Sequence, residues 1–361
     1  MSINNTDEYY MRCALELSAN GTECSPNPRV GCVITRGGSI IGKGWHKKCG
    51  GPHAEVEAVR DAGGDIEGAD VYVTLEPCSH YGKTPPCADM LVSLRPGRVI
   101  SSISDPNPKV AGQGFEKLRN AGIEVKTGVL EEECRWINRG FLRRMKEGRP
   151  WTMIKCAASL DGMVALKNGK SKWITGPEAR TCVHGLRAEN DALLTGVGTV
   201  LADDPEMTVR YAAGRSPLRV VLDRTLRTPP KAAILKGGAV IFTLPSASSE
   251  KAAVLEDSGA RIVRVSGDNF LGDVLKELCG MGVNYLMIEA GPSVTSSFIS
   301  GGLCDELALF VAPKIMGNGR SFAGGAEFQE MEDIPRLKDV KYTKYGRDLL
   351  IRGLFECSPD L

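Results

Sequence analysis

The chain has 361 residues, of which 42% are hydrophobic and 25% are charged, and its formal net charge is +1 at pH 7. This length exceeds what one hydrophobic core usually serves, so the sequence predicts two globular domains. The balanced charge and the lack of a long basic run argue against a nucleic-acid binder, and no apolar run approaches the length of a membrane span.

The 12 cysteines form no tidy short-spaced framework. In a chain of this length that distribution indicates reduced thiols rather than disulfides. The first residues have neither the basic nor the apolar region of a signal peptide. We therefore expect a cytoplasmic protein that binds neither a membrane nor a nucleic acid.

The first half of the chain predicts strands that alternate with helices. A first helix with Tyr10, Ala14 and Leu17 on one face ends near Asn20. Strands are predicted at 30–34, 39–43, 71–75, 98–102 and 123–125, and further helices begin near Pro52, Pro85 and Gln113. This alternation is typical of a layered α/β domain.

A polar stretch with Gly and Pro, residues 146–150, predicts the domain boundary and gives domains 1–147 and 148–361. Strands of the second domain are predicted at 151–157, 192–195, 218–222, 239–242, 261–265, 285–288 and 307–311. Helical patterns lie between several of these strands. The second half therefore predicts another α/β domain, with a more parallel sheet.

The stretch 52–88 contains a His, a Glu and two Cys at metal-site spacing. His53, Cys78 and Cys87 are the predicted protein ligands of a catalytic zinc site, a count that leaves one position open. Glu55 stays outside the ligand set as an acid/base that moves a proton from water to a leaving amine. His53 and Cys87 fall at predicted helix N-termini, where the helix dipole favours thiolates.

Each part of this pattern alone also fits a structural zinc site or unligated thiols. Taken together, these parts form the signature of zinc deaminases. That signature consists of His-Ala-Glu, a strand, Pro-Cys, and a second Cys that opens a helix. The two cysteines are separated by eight residues instead of the commoner two. The pattern therefore predicts hydrolysis of an amine on a base-like ring, with an unusual insertion between the cysteines.

Further motifs resemble one branch of these deaminases. The segments 77–87, 26–32 and 105–108 resemble the deaminase of the RibD family, the bifunctional enzymes of bacterial riboflavin biosynthesis. The segments 155–162, 186–192, 196–199, 203–205 and 289–292 resemble the reductase that this family fuses to it. The resemblance covers nearly the whole chain. It implies a cytidine-deaminase-like three-layer domain, a dihydrofolate-reductase-like α/β domain, and a homo-oligomer that is a dimer or a tetramer.

The resemblance also implies two reactions on a pyrimidine ribosyl phosphate. The first is zinc-dependent hydrolytic deamination of 2,5-diamino-6-ribosylamino-4(3H)-pyrimidinone 5′-phosphate, and the second is NADPH-dependent reduction of the ribosyl side chain to ribityl. One alternative is a nucleobase deaminase with an accessory nucleotide-binding domain. Another is a zinc-stabilised binding module, in which His46, His80 or Cys49 closes the metal site as a fourth ligand.

The family resemblance implies which residues contact the ligands. The implied pocket residues of the deaminase are Asn27, His46, Lys83, Asp105 and Asn107. Asn27 and Asn107 lie between prolines and could equally fix turns. The implied cofactor contacts of the reductase are Ala157, Trp173, Thr199, Asp203, Gly291, Pro292, Ser293, Val294, Thr295, Ser296 and Ser297. Its implied substrate contacts are Ser171, Arg187, Met207, Arg210 and Glu289.

The chemistry of the second half leaves two alternatives open. Arg187 and Arg210 are predicted phosphate clamps, because a planar guanidinium binds phosphate bidentately. Lys155, or Glu289 with a raised pKa, is predicted to protonate the opening ribosylamine, and a structural salt bridge between them is the competing interpretation. From the residues alone, the turns after Thr195 and Glu289 fit either an anion site at a helix start or ordinary strand-to-helix turns.

Overall fold

The computed structural model describes residues 4–80, 85–106 and 111–358. The chain divides between Gly148 and Arg149 into two compact units. Each unit has its own mixed sheet and its own hydrophobic core. Among the described residues, no helix combines the length and the apolar composition that a bilayer crossing requires.

The first unit is built on a five-stranded sheet with the order β2-β1-β3-β4-β5. Its strands are β1 (Gly31–Arg36), β2 (Ser39–Trp45), β3 (Asp70–Leu75), β4 (Arg98–Ile103) and β5 (Glu124–Lys126). Its helices are α1 (Asn4–Ala19), α2 (Ala54–Asp61), α3 (Cys87–Leu94), α4 (Gln113–Asn120), α5 (Glu131–Ile137) and α6 (Arg139–Glu147). β3, β4 and β5 are parallel, whereas β1 is antiparallel to both of its neighbours.

Helices cover both faces of this sheet. Neighbouring residues of a strand point to opposite faces, and each face of β1 and β3 has its own apolar cluster. Val33 packs with Met11 of α1 on one face, while Val71 packs with Ala58 of α2 on the other. The unit therefore has three layers, and the loops that follow β3 and β4 lie at one edge of the sheet.

The second unit is built on a nine-stranded sheet with the order β11-β10-β9-β8-β12-β6-β13-β16-β15. Its strands are β6 (Trp151–Ser159), β7 (Met163–Ala165), β8 (Ala192–Gly196), β9 (Leu218–Leu222), β10 (Ala239–Thr243), β11 (Ala260–Arg264), β12 (Tyr285–Ile288), β13 (Glu306–Ala312), β14 (Arg320–Ser321), β15 (Leu337–Tyr345) and β16 (Asp348–Phe355). β7 and β14 form a separate pair. The helices are α7 (Pro177–Glu189), α8 (Val197–Asp203), α9 (Ser249–Asp257), α10 (Phe270–Gly280) and α11 (Pro292–Ser300), with a short 3₁₀ turn at Ala233–Leu235.

The seven strands from β11 to β13 are parallel, and only β16 and β15 add antiparallel pairs at one side. The predicted parallel character of this sheet is therefore confirmed. β12 lies between β8 and β6, so the segments that follow these three strands are neighbours at the carboxyl edge of the sheet. That edge is where open α/β sheets bind ligands.

Candidate active sites

Three predicted metal ligands meet at the sheet edge of the first unit. His53 is the N-cap residue of α2, Cys78 follows β3, and Cys87 is the first residue of α3. The Nδ1 atom of His53 lies 3.5 Å from Sγ of Cys78 and 3.3 Å from Sγ of Cys87. All three ligand atoms lie within 4.8 Å of one another.

These distances fit a tetrahedral zinc ion. Zn–S bonds of about 2.3 Å and Zn–N bonds of about 2.1 Å separate a sulfur and a nitrogen ligand by about 3.6 Å. The donor set of two thiolates and an imidazole is one that zinc prefers. Zinc, when bound, would act as a Lewis acid that activates water at the open position.

The surroundings of the cysteines favour the thiolate form of Cys78. The backbone N–H of Cys87 donates to Sγ of Cys78 over 3.3 Å. Hydrogen bonding from the Cys87 side chain lowers the pKa of Cys78. Burial opposes this effect and His53 adds to it, and the resulting pKa is about 4. The pKa of Cys87 is raised, first by its hydrogen bond with Cys78 and then by burial. A ready thiolate is what a metal ligand requires.

Glu55 lies beside this cluster in the first turn of α2 and is only 3% exposed. Burial raises its pKa to about 6, partly offset by the positive charge of His53 and by a hydrogen bond with the Cys87 side chain. A carboxyl with a pKa near neutrality can both take and return a proton. Glu55 is not part of the metal-ligand cluster.

His46 is held as a neutral imidazole next to His53. Its Nδ1 atom lies 3.0 Å from the carbonyl oxygen of Pro52, and its Nε2 atom lies 3.2 Å from the side-chain nitrogen of Asn27. A carbonyl can only accept, so Nδ1 carries the proton and Nε2 accepts from Asn27. Burial lowers the pKa of His46. Both ring nitrogens have protein partners, so His46 orients Asn27 and is not available as a fourth metal ligand.

The other two candidate fourth ligands also stay apart from the metal cluster. His80 and Cys49 are exposed. Within the described ranges, the only group of three or more possible ligands is His53, Cys78 and Cys87. A closed structural site is therefore not formed by these residues. Two predicted pocket residues, Lys83 and Asn107, lie outside the described residues.

Asp105 is positioned by a residue that the sequence analysis missed. The Glu76 side chain is 3% exposed, and its Oε2 atom accepts from the backbone N–H of Asp105 over 3.1 Å and of Gly112 over 2.9 Å. Its Oε1 atom accepts from the N–H of Gly114 over 2.9 Å. Glu76 precedes Pro77 and Cys78, so one carboxylate joins the metal-ligand segment to the loop after β4. Its only sequence signal is an acidic residue at the end of a buried strand.

In the second unit, Lys155 and Arg187 both contact Glu289. Ile288 of β12 pairs with Ile154 of β6, which places the two following residues side by side. Nζ of Lys155 lies 3.1 Å from Oε1 of Glu289, while Arg187 donates to Oε2 from Nη2 over 2.5 Å and from Nε over 3.2 Å. All three side chains are at most 15% exposed.

The expectation of a raised pKa at Glu289 is wrong. Burial raises it, but the charges and hydrogen bonds of Lys155 and Arg187 outweigh burial and lower the pKa to about 2. Glu289 is therefore held as an ionised carboxylate beside Lys155. The expected salt bridge between them is present, and a structural and a catalytic role for it are compatible.

Several predicted cofactor residues meet where the segments after β8 and β12 pack together. The close approach is seen at two glycines. A Cβ added to Gly196 would lie only 2.8 Å from Cγ2 of Val294, and a Cβ added to Gly291 would lie 3.7 Å from Oγ1 of Thr199. α11 begins at Pro292 without a side-chain cap, so the N–H groups of its first turn can face an anion. The remaining residues of its first two turns are Ser293, Thr295, Ser296 and Ser297.

This region fits a phosphate-bearing cofactor. The Oγ1 atom of Thr195 is buried and has no hydrogen-bond partner among the described residues, and buried polar atoms normally have one. Trp173 is 67% exposed, with the Arg180 guanidinium 4.5 Å from its ring centre. Lys172 lies 3.6 Å from a carboxylate oxygen of Asp203 and links the segment of Ser171 and Trp173 to α8. Ala157 lies half-buried on β6.

Comparisons with known proteins match nearly the whole chain. Residues 4–103 match the cytidine and deoxycytidylate deaminase zinc-binding region. Residues 150–351 match the RibD C-terminal domain. The riboflavin biosynthesis protein RibD of Aquifex aeolicus is 42% identical over 97% of this chain and 98% of its own, and that of Escherichia coli is 40% identical over 96% and 98%.

The chain belongs to the RibD family. Among solved structures, form 1 of the RibD of Acinetobacter baumannii is 39% identical, with a TM-score of 0.90 over 98% of this chain and 99% of that one. The deaminase/reductase of Thermotoga maritima is 34% identical, with a TM-score of 0.86 over 98% and 100%. The predicted α/β fold, with a cytidine-deaminase-like first domain and a reductase as the second, is confirmed. The predicted likeness of the second domain to dihydrofolate reductase stays a prediction.

Membership of the RibD family decides between the alternative functions. The chain is a bifunctional deaminase and reductase of riboflavin biosynthesis, and its cofactors are zinc and NADPH. The second half matches the reductase of this family, which rules out an unrelated accessory domain. Because the family is one of enzymes, its match likewise excludes the alternative of a zinc-stabilised binding module.

Proposed function

We propose that the two activities are divided between the units at about residue 148, with deamination in the first unit and reduction in the second. The substrate of the first step is 2,5-diamino-6-ribosylamino-4(3H)-pyrimidinone 5′-phosphate. Water replaces its 2-amino group, and ammonia leaves. The observation that carries this proposal is the buried Glu55 beside a three-ligand cluster that leaves one metal position open.

Glu55 moves the protons of the first step. It accepts one from the attacking water and returns it to the departing amine, a role for which a pKa near the working pH is best suited. His53, Cys78 and Cys87 would hold the zinc. We expect the substrate to be contacted by Asn27, His46, Lys83, Asp105 and Asn107, because amide and carboxylate groups suit the polar edges of the pyrimidinone.

In the second step the ribosyl group is opened and reduced to ribityl. NADPH, when bound, supplies the hydride that arrives at the sugar C1. Lys155 donates the accompanying proton to the substrate, and Glu289 keeps its ammonium group in place over 3.1 Å. The cofactor would be held by Ala157, Trp173, Thr199, Asp203 and residues 291–297.

Substrate in the second unit is bound by Ser171, Arg187, Met207, Arg210 and Glu289. Three Arg187 nitrogens already bind protein oxygens, two contacts to Glu289 and one to the carbonyl oxygen of Thr208. Arg210 is half-exposed and its guanidinium pairs with Glu206 through one nitrogen. Arg210 is therefore the main contact of the substrate phosphate, and Arg187 mainly fixes the pocket wall.

Location and assembly complete the proposal. No disulfide joins any of the twelve cysteines, all of which lie in the described ranges, and this suits a reducing compartment such as the cytoplasm. The RibD family resemblance supports a homo-oligomer, a dimer or a tetramer. Light scattering coupled to size exclusion tests that assignment, and a monomer at micromolar concentration would contradict it.

The test of the proposed function measures metal content and ammonia release on the diaminopyrimidinone. Glu55→Gln should bind zinc yet release ammonia at least about 100-fold more slowly, because the proton carrier is lost. Glu57→Gln is the matched control, since Glu57 lies on the same helix and its carboxylate pairs with Lys47 and Arg60. Full activity in Glu55→Gln would contradict the proposed role.

A further inference from the structure

The segment 206–211 presents two of the proposed substrate contacts, Met207 and Arg210. It follows α8 and has no regular secondary structure. Met207 is 4% exposed and has a φ of +53°, a left-handed conformation that a residue other than glycine adopts only where its surroundings impose it. The shape of the segment therefore depends on side chains that reach it from other elements.

One of these side chains is His184 of α7. It is 5% exposed, and its Nδ1 atom accepts from the backbone N–H of Arg210 over 2.9 Å. Its ring packs edge-on against Tyr211, with the ring centres 4.7 Å apart. The N–H donor requires a lone pair on Nδ1, so the ring is neutral and its proton is on Nε2. Burial, then the charges of Arg187 and Arg210, lowers the pKa of His184 to about 4, in keeping with this state.

A second contact comes from the same helix. Arg187 lies three residues after His184, so both side chains leave the same face of α7. Its Nη1 atom donates to the carbonyl oxygen of Thr208 over 2.9 Å. The segment is thus attached to α7 at two backbone groups, the carbonyl of Thr208 and the N–H of Arg210. Arg187 also contacts Glu289, so α7 joins this segment to the residue that holds Lys155.

We propose that His184 is a positioning residue of the reductase, which fixes the backbone of Arg210 so that its guanidinium meets the 5′-phosphate of the substrate. The inference rests on the proposed function, in which Arg210 is the main phosphate contact. The contacts of His184 described above are to the backbone N–H of Arg210 and to the ring of Tyr211, and the proposed function gives it no part in the transfer of hydride or proton. Its effect is therefore on recognition of the phosphate and not on the chemical step.

Two substitutions separate this role from simple packing. In Asn, the side-chain oxygen can take the place of the imidazole Nδ1, so His184→Asn keeps the acceptor for the Arg210 N–H. In Gln, the oxygen reaches the place of Nε2 instead, so His184→Gln keeps a polar side chain but loses the acceptor. Glu189→Gln is the control, because Glu189 is an exposed residue of the same helix.

The experiment measures NADPH oxidation on the deaminated substrate and on the same compound without its 5′-phosphate. With the phosphorylated compound, His184→Gln should raise KM roughly five- to tenfold, the change expected from one lost hydrogen bond, and leave kcat within about twofold. His184→Asn should restore KM to within about twofold of the parent enzyme. With the compound lacking phosphate, all variants should have the KM of the parent.

The opposite results would overturn the inference. If His184→Gln and His184→Asn raise KM equally, or raise it equally with both compounds, His184 only packs the helix. Arg210→Gln distinguishes this failure from a failure of the proposed function. If Arg210→Gln loses the preference for the phosphorylated compound while the His184 variants keep it, the positioning role is wrong and the function stands. If Arg210→Gln also keeps the preference, Arg210 is not the phosphate contact. In that case both the positioning role of His184 and the proposed role of Arg210 are wrong.

Discussion

Replacing Glu289 by Gln should destabilise the reductase unit strongly at neutral pH. Lys155 and Arg187 are at most 15% exposed and share this one carboxylate. Their combined effect lowers its pKa from 4.5 to about 2. A difference of about 2.5 pH units corresponds to about 3 kcal/mol in favour of the ionised native form. Removing one partner of a buried ion pair costs a similar amount, about 3–5 kcal/mol.

The effect of Glu289→Gln depends on pH in a defined direction. The pKa of Glu289 is lower in the native state, about 2, than in the unfolded state, 4.5. The stability that this difference contributes is fully present above pH 4.5 and is lost as the pH falls towards about 2. The difference between parent and Glu289→Gln should therefore be constant near neutrality. It should shrink by about 1 kcal/mol at pH 4, where the unfolded carboxyl is largely protonated.

Calorimetry can measure this difference. The transition of the second unit is the one that NADPH shifts to higher temperature, since a ligand of the native state stabilises it. Glu289→Gln should lower that transition by about 6–12 °C at pH 7, since 1 kcal/mol shifts a unit of this size by about 2–4 °C. Glu189→Gln, an exposed charge removed from the same unit, should shift it by less than about 2 °C. An unchanged or higher transition temperature in Glu289→Gln would refute the reasoning.

The remaining predictions concern the deaminase unit. Cys78→Ser should reduce bound zinc from about one per chain to a small fraction, because a ligand of the three-residue cluster is lost. A chelator should abolish ammonia release and leave NADPH oxidation unchanged, and loss of both activities would contradict the division of roles. Glu76→Gln should lower the stability of the first unit by about 1–3 kcal/mol, because the amide nitrogen faces backbone N–H groups that then lack an acceptor. Circular dichroism melts of Glu76→Gln and of the exposed control Glu132→Gln would measure it, and equal melting temperatures would exclude the anchoring role.

The buried strands were the most predictable part of the fold. β9 (Leu218–Leu222) and β12 (Tyr285–Ile288) lie where they were predicted, because both are short apolar runs buried on two faces. β15 (Leu337–Tyr345) was not predicted, since it lies at the edge of its sheet and most of its side chains are polar and exposed. α5 and α6 were not predicted either, because charged residues dominate both and mask their apolar periodicity.

The metal cluster could be predicted because side-chain identity and spacing define it. His53, Cys78 and Cys87 are recognisable from residue type and from the elements around them. Glu76 and His184 were missed because each acts on a backbone N–H group, which every residue except proline has. The same limit applies to the state of Glu289, whose low pKa arises from two cations more than one hundred residues distant in sequence.

The central claim is that one chain contains two separate active sites for consecutive reactions. The most direct measurement assays Glu55→Gln and Lys155→Met, each folded, for both half-reactions. Glu55→Gln should fail to release ammonia from the diaminopyrimidinone yet oxidise NADPH with the deaminated compound, and Lys155→Met should do the reverse. The two variants mixed should convert the first substrate fully to the ribityl product. If either variant loses both activities while folded, or if the mixture forms no ribityl product, the two-site account is contradicted.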